Sequence, residues 1–503
     1  MTDTPQTSCR PLLPALLVAA CATALALIIL GLQPLRTPLY WWHVAIGDAI
    51  YTWERIPDQQ LFLFTVKANE GWVYTSWLGS VITALFHEVG GAELGLLVRN
   101  AMGALSVGLV AYFAARRSDD ITAIAIPALI ATGLVFLFAE PAPATLVLPF
   151  ATVLLAAGFL LFEHPEKFWP ALFFPAVVLA VINIDFASAA VCIFVALVVT
   201  TELLRRARTS DARKPMVIGA VISALALPSL FGFAYGPTYW TESFAVAFAA
   251  PETFVSASVI APAIVVALLV ALLARSDDAH LPAPWPVLAV LVVGTGLFAL
   301  AAPATIPIFA IASAMVLVAP LSHLLDGKSP KRPGTPALIV ALLLLTAGAV
   351  VLQPGVDTRA PILTAVHDDV RTTPPAAGTL TDDLPLRCAE ELNRTGRTLR
   401  VFHDGEHAGF LLYHLLSTER PHPILFDDHR ELIDGETADL AELLRTDRAA
   451  RGHFQQRGIN AAVVDRHSYP ALVDELDEAP EWHEFIPDAD SPTACFYLGR
   501  VSE

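Results

Sequence analysis

Long apolar runs, each about the length needed to cross a hydrocarbon layer, fill the first two thirds of the chain, with short polar breaks between them. A spanning helix needs about 20 mostly apolar residues. That template fits 12–32, 92–115, 120–138, 142–162, 168–183, 186–204, 216–234, 257–275, 284–302, 304–323 and 336–353. The pattern predicts an α-helical polytopic bundle of about eleven spans over residues 1–353. A shorter run from Trp77 to Val89 ends in His87 and Glu88 and reads as a helix lying at the membrane interface; as a full span it would reverse everything after it. After Pro354 the pattern changes. Residues 354–385 are polar and Pro-broken, a tether, and residues 386–503 alternate short apolar runs with helix-like stretches. Strands are predicted at Leu399–His403, Pro423–Phe426, Ala461–Val464 and Cys495–Leu498, and helices at Gly409–Leu416, Thr437–Arg445 and Tyr469–Leu476, giving a small α/β domain.

Composition supports lipid as the solvent of the first part. The 503 residues are 55% hydrophobic and 16% charged, with mean hydropathy +0.59, far too apolar for a soluble chain of this size. The net charge of −17 is concentrated in the tail, where residues 355–503 hold 28 acidic residues against 14 Arg and no Lys. A surface so acidic suits water and excludes a nucleic-acid partner, which needs a basic face.

Lys and Arg collect at Arg116-Arg117, at Arg205, Arg206, Arg208, Arg213 and Lys214, and at Lys328, Lys331 and Arg332. Positive loops stay in the cytoplasm. Eleven spans with the N-terminus inside put all three clusters on that side, in what reads as a cytoplasmic (inner) membrane. They leave the loop 33–76, the loop from Tyr235 to Ser256 and the acidic domain outside. Cys388 and Cys495 in that domain are either one disulfide or two buried thiols. Val18-Ala19-Ala20-Cys21 has the form of a lipidation site, but the apolar run continues past it to Leu32, as a retained helix does. The chain has no G-x-S-x-G, Walker loop or C-x-x-C, which argues against hydrolase, ATPase and redox chemistry.

The first outer loop reads Thr37-Pro38-Leu39-Tyr40-Trp41-Trp42-His43-Val44-Ala45-Ile46-Gly47-Asp48, then Ile56-Pro57-Asp58, Leu61-Phe62-Leu63-Phe64-Thr65 and Gly71-Trp72-Val73-Tyr74-Thr75-Ser76-Trp77-Leu78. Aromatics favour the membrane interface, so on physics alone this is an amphipathic segment on the outer leaflet. The order of its residues resembles bacterial membrane proteins related to the GT-C glycosyltransferases, which carry motifs like D-P-D-L-W-W-H-L, D-P-F-S-F-T and W-V-x-x-E-W-L after the first span. Asn183-Ile184-Asp185-Phe186 resembles their N-L-H-G turn, and Leu227-Pro228-Ser229-Leu230-Phe231-Gly232 their L-N-P-Y-G. In the tail, the run from Arg400 to Leu411 is similar to R-V-F-N-D-Y-E-W-G-G-Y-L, and Phe426-Asp427-Asp428-His429-Arg430 to F-I-D-G-R.

The resemblance implies a sugar carried on a polyprenyl phosphate, an envelope acceptor entering from outside, and a loop carboxylate after the first span serving as base or as a metal-anchored orienter. An acceptor hydroxyl is a poor nucleophile until a positioned base takes its proton. The motif's acidic positions are held here by Thr37, Leu39, Gln60 and Ser76, and Pro303-Ala304-Thr305 stands where an Arg or Asn is expected. Asp48 and Asp58 are therefore the expected catalytic carboxylates, with Glu54 beside them. His43, Trp41, Trp42 and Asp185 are the expected substrate-binding residues. Each has a plainer reading: solvated loop acids for the carboxylates, interfacial packing for the aromatics and His43, and a water-accessible turn for Asp185. Glu140, Glu242 and Glu252 also fall at outer turns and would line one outward cavity. Asp404, Glu406, His407, Asp427, Asp428 and His429 suit either a divalent cation or turn and capping roles. A partner protein on a non-catalytic scaffold that kept the fold is the competing reading. A transporter fits less well, because the spans hold few charged pairs.

Overall fold

The computed structural model describes residues 12–31, 38–57, 73–118, 120–138, 143–210, 213–236, 284–325, 386–395, 398–403, 408–416, 450–484 and 493–499, with Leu444 and single positions between 265 and 283. Two compact units result: Met1–Gln33 with Leu96–Asp369, and Pro34–Gly95 with Val370–Glu503. The segment after the first helix thus groups with the C-terminal domain.

The first unit is a helix bundle. It contains α1 (Leu12–Leu30), the second half of α3 (Trp77–Ala115), α4 (Ile121–Phe138), α5 (Pro143–Glu163), α6 (Phe173–Val181), α7 (Phe186–Ala207), α8 (Arg213–Ala224), α9 (Trp285–Ala301) and α10 (Ile306–Leu325). Predicted spans other than 257–275 and 336–353, which lie largely or wholly outside the described residues, fall on these helices, with 168–183 and 216–234 made up by the 3₁₀ turns Trp169–Leu172 and Pro228–Gly232 beside α6 and α8. Among the described residues, Leu12–Leu30, Trp77–Ala115, Pro143–Glu163, Phe186–Ala207 and Arg213–Gly232 are long and apolar enough to cross a membrane. Continuous helix is what such runs must form in lipid, where each backbone N–H and C=O has to be bonded within the segment.

α10 is buried continuously from Ile306 to Met315 and packs on α4, α5 and α9. α7 packs on α5, α6, α8 and α9. Large apolar side chains face outward instead: Leu12, Leu13, Leu17 and Ile28 on α1, Leu197 and Leu204 on α7, Val221 on α8 and Leu297 on α9. A soluble bundle would not expose such a surface; a lipid-facing one does. At one end of the bundle Arg117 grips Glu163 through Nε and Nη2, at 2.6 and 2.5 Å, and stacks over Phe113, while Arg206 Nη1 donates to the Phe162 carbonyl at 2.5 Å. Two of the predicted positive clusters therefore meet at one end; the third lies outside the described residues.

The second unit joins α2 (Pro38–Trp53) and the first half of α3 to the C-terminal domain. Within α3 the helix is interrupted at Gly90 and Gly91, the latter at φ +63°. Only glycine adopts that backbone readily. The domain comprises α11 (Leu386–Arg394), β1 (Val401–His403), α12 (Ala408–Leu416), α13 (Ala450–Arg457), β2 (Ala461–Asp465), α14 (Pro470–Asp477), β3 (Trp482–Glu484) and β4 (Thr493–Leu498).

Its four-stranded sheet runs β1-β2-β4-β3, parallel between β1 and β2 and antiparallel elsewhere, with Val401 opposite Ala461 and Val463 opposite Cys495. Phe402, Phe454, Tyr469, Trp482 and Phe496 fill the core. Cys388 on α11 and Cys495 on β4 form a disulfide, which decides between the two sequence readings. Glu475 accepts from the Ala450 and Arg451 amides at 2.8 and 3.1 Å, capping α13 from a neighbouring helix. The predicted strand Pro423–Phe426 and helix Thr437–Arg445 lie outside the described residues, apart from Leu444. β3, α11 and α13 were not legible in the pattern, being short and, for β3 and α13, mostly polar.

Candidate functional site

α2 is buried from Tyr40 to Gly47 and emerges into solvent at Asp48. Its inner face crosses α3 at very close range. A Cβ on Gly47 would stand 2.1 Å from the Ser80 carbonyl oxygen, so only glycine fits there. One turn earlier, His43 Nδ1 lies 2.8 Å from Ser80 Oγ. The single hydroxyl proton of Ser80 goes to the Ser76 carbonyl at 3.1 Å, so His43 donates from Nδ1. Trp42 stacks edge-on against His43 and lies 6.2 Å from the Tyr74 ring. His43 and Gly47 thereby fix the α2–α3 crossing.

Trp41 faces the C-terminal domain. Its ring lies 5.2 Å from His87, 5.3 Å from Phe410, 5.4 Å from Tyr413 and 5.9 Å from His414. His87 closes the cluster, 5.1 Å from Tyr413, with Nδ1 2.9 Å from the Tyr40 hydroxyl. Tyr40 fills the space that a side chain at Gly95 would need, 2.6 Å from the position of its Cβ. Burial, and secondarily the neighbouring His87, pushes His414 down to about 4, so it is neutral over most of the pH range.

Asp48 borders this cluster from the solvent side. Its carboxyl is held above the usual range by partial burial and by the charge of Glu88. Tyr413 is raised in turn by burial and by Asp48. A carboxyl shifted upward is a better proton acceptor than an ordinary one. The aromatic order singled out Trp41, Trp42 and His43, which the fold buries. The partners His87, Glu88, Tyr413 and His414 were missed; the only sequence signal was the polar end of the run at Trp77–Val89.

In the bundle unit, Asp185 is buried and caps α7, accepting from the Ser188 amide at 2.9 Å. Asn183 donates through Nδ2 to the Gly232 carbonyl at 2.9 Å and accepts from the Ala234 amide at 3.0 Å. The two turn motifs of the resemblance, 183–186 and 227–232, are thus tied together by one side chain. The 3₁₀ turn Pro303–Thr305 leads from α9 into α10, with Thr305 Oγ1 donating to the Ala302 carbonyl. Glu54 stands exposed at the end of α2 with φ +52°. Asp58, Glu140, Glu242, Glu252, Asp404, Glu406, His407, Asp427, Asp428 and His429 lie outside the described residues. Among those described, no three His, Cys, Asp or Glu converge as a metal site. The gap between α5, α7 and α9, lined by Leu155, Phe159, Val195 and Leu291, has no room for a water molecule and is ordinary packing.

Comparison with solved structures gives the architecture a precedent. ArnT from Cupriavidus metallidurans, bound to undecaprenyl phosphate, matches over 95% of this chain and 97% of its own, at TM-score 0.52 and 13% identity. The archaeal oligosaccharyltransferase AglB from Archaeoglobus fulgidus, in complex with an inhibitory peptide and a dolichol-phosphate, matches over 96% of this chain and 74% of its own, at 0.50 and 11%. The arabinofuranosyltransferase AftD from Mycobacteria matches over 96% of this chain but only 40% of its own, at 0.52 and 16%. These are GT-C glycosyltransferases, and this chain has a GT-C-like fold: a helical membrane bundle with a small sheet domain at its C-terminus. No family model and no curated protein sequence matches it.

Proposed function

We propose that the chain is a divergent GT-C-type glycosyltransferase that moves a sugar from a polyprenyl-phosphate donor to an acceptor in the cell envelope. Its GT-C-like fold and the lipid phosphates bound by ArnT and AglB support this reading. The observation that carries it is Asp48, a solvent-facing carboxylate with raised proton affinity on the helix directly after the first span. In this scheme Asp48, or Asp58 further along the loop, takes the proton of an acceptor hydroxyl. The oxygen bonds to the anomeric carbon as the bond to phosphate breaks, and the polyprenyl phosphate leaves with the electron pair. Trp41, Trp42 and His43 serve by positioning α2, and Asp185 by shaping the opening of α7.

The protein would reside in a bacterial cytoplasmic membrane with the N-terminus inside and the C-terminal domain outside. Contact between α2 and α12 supports one part of that arrangement: rings about 5 Å apart leave no room for a bilayer between them, so both lie on the same face. The disulfide fits an oxidising compartment.

The test is transfer of label from polyprenyl-phosphate sugars by purified protein, with Asp48→Asn and Asp58→Asn beside the wild type. Unchanged transfer in both variants would exclude these two as the base. A specific observation favours the second reading, a non-catalytic scaffold docking an envelope protein. Trp41, Trp42 and His43, the residues that best match the motif, are all buried in packing. A protein partner recovered from native membranes at one-to-one ratio, with no transfer activity, would favour the scaffold.

A further inference from the structure

At the end of the bundle where Arg117 and Arg206 meet, the helices stop and the surface changes character. The connection between α5 and α6 folds into a 3₁₀ turn, Trp169–Leu172, packed against α5 and α8. Phe168 rests beside Gly219 of α8, where a Cβ would stand 3.8 Å from its own. Pro170 and Ala171 point inward, whereas Phe168, Trp169 and Leu172 are 43%, 52% and 55% exposed. A tryptophan and a phenylalanine held outward at the end of apolar helices belong at the depth of lipid headgroups.

Basic side chains collect at the same end of the bundle. Lys167 precedes the turn, Arg205 and Arg208 end α7, and Arg213 and Lys214 begin α8; all are exposed. Among the described acids at this end, Glu163 is paired with Arg117 and Glu202 with Arg205 and Arg206, while Glu166 lies beside His164. Among the described residues, Lys167, Arg208, Arg213 and Lys214 have no carboxylate partner. The result is a positive surface next to exposed aromatics, at the level where phosphates lie.

We infer that this end of the bundle is a binding surface selective for anionic phospholipid headgroups, with Trp169 seated in the interface and Arg208, Arg213 and Lys214 engaging phosphate. The inference rests on the membrane-spanning reading and not on glycosyl transfer, so either can fail without the other.

Purified full-length protein, delipidated and returned to an equimolar mixture of phosphatidylglycerol and phosphatidylcholine, would be examined by native mass spectrometry. The wild type is expected to retain the anionic lipid at least roughly tenfold in preference, because several basic residues face the same phosphates. Arg208→Gln/Arg213→Gln/Lys214→Gln should abolish the preference, and Trp169→Ala should reduce retention of both lipids. Arg387→Gln/Arg394→Gln in the C-terminal domain should change neither. Raising the salt concentration should weaken the wild-type preference, a readout that needs no variant to fold. Equal retention of the two lipids by wild type, a salt-insensitive preference, or full selectivity in the triple variant would each overturn the inference.

Discussion

The Trp41 indole meets the Phe410 ring edge to face at 5.3 Å, joining the helix that follows the first span to a helix of the C-terminal domain. Edge-to-face pairs of this kind add about 0.5–1.5 kcal/mol to the burial of the rings themselves. The whole cluster is a joint within the second unit. α2 is anchored on one side to α3 through His43 and Gly47, and on the other to α12 through Trp41.

Trp41→Ala should destabilise this unit by roughly 3–5 kcal/mol, the usual range for truncating a buried tryptophan. Trp53→Ala, at an exposed position, should change stability far less. Thermal unfolding in detergent, with limited proteolysis of the C-terminal domain, would compare them; equal effects would show that the joint bears no stability.

Gly47→Ala should be at least as damaging as an overpacked core substitution, about 1–3 kcal/mol or more, because the added methyl would meet the Ser80 backbone and not a flexible side chain. Gly91 is a contrast. A Cβ there meets nothing within 4 Å, but φ +63° with ψ −165° is backbone that essentially only glycine adopts, so Gly91→Ala should cost about 1–3 kcal/mol through backbone strain alone. Both variants should melt below the wild type, and a wild-type melting temperature for Gly91→Ala would show that the interruption of α3 carries no strain.

His414 makes the joint sensitive to acid. Its folded value of about 4 lies below the ordinary 6.5, so between these limits the unfolded chain binds the proton more readily than the folded one. The stability from keeping His414 neutral is fully present above about pH 6.5 and is lost as pH falls toward 4. At about 1.4 kcal/mol per unit, the loss is up to about 3 kcal/mol. His414→Phe should flatten this part of the pH–stability curve, and an unchanged slope would remove His414 as its source.

Asp48→Asn should lower transfer by about 10²- to 10⁴-fold, the usual contribution of a positioned general base, while melting behaviour stays near wild type. Because burial and Glu88 raise the Asp48 carboxyl, the acid limb of the rate profile should lie above the ordinary carboxylate range. Glu88→Gln removes the like charge and should move that limb to lower pH. A limb that stays in place would uncouple the two residues.

The Cys388–Cys495 bridge closes a loop of 107 residues. By loop entropy its loss should destabilise the C-terminal domain by about 4–5 kcal/mol. Reduction with dithiothreitol should lower the melting temperature of the wild type and leave Cys388→Ala/Cys495→Ala unaffected. A wild type indifferent to reductant would argue against the bond.

Most of the bundle was legible because the signal is local. A run of twenty apolar residues meets lipid as a helix whatever its neighbours do, since its backbone bonds close within the run. The GT-C-like architecture could be anticipated from the order of motifs for a related reason, as turns such as 183–186 and 227–232 carry their own short patterns. In the acidic domain, β1, β2 and β4 were visible as apolar runs. β3, with His483 and Glu484, was not, because its place is set by pairing with Tyr497 and Phe496.

What the chain alone determined was therefore where most helices of the bundle lie and which end of the bundle is basic. Which neighbours Trp41, His43 and Asp48 have was decided only by tertiary structure. Their partners, His87, Ser80, Phe410, Tyr413 and His414, come from segments whose own patterns say nothing of a meeting. A side chain's environment depends on which distant surfaces bury against each other, and burial and charge at that meeting set proton affinity; neither is written in the order of residues along one segment.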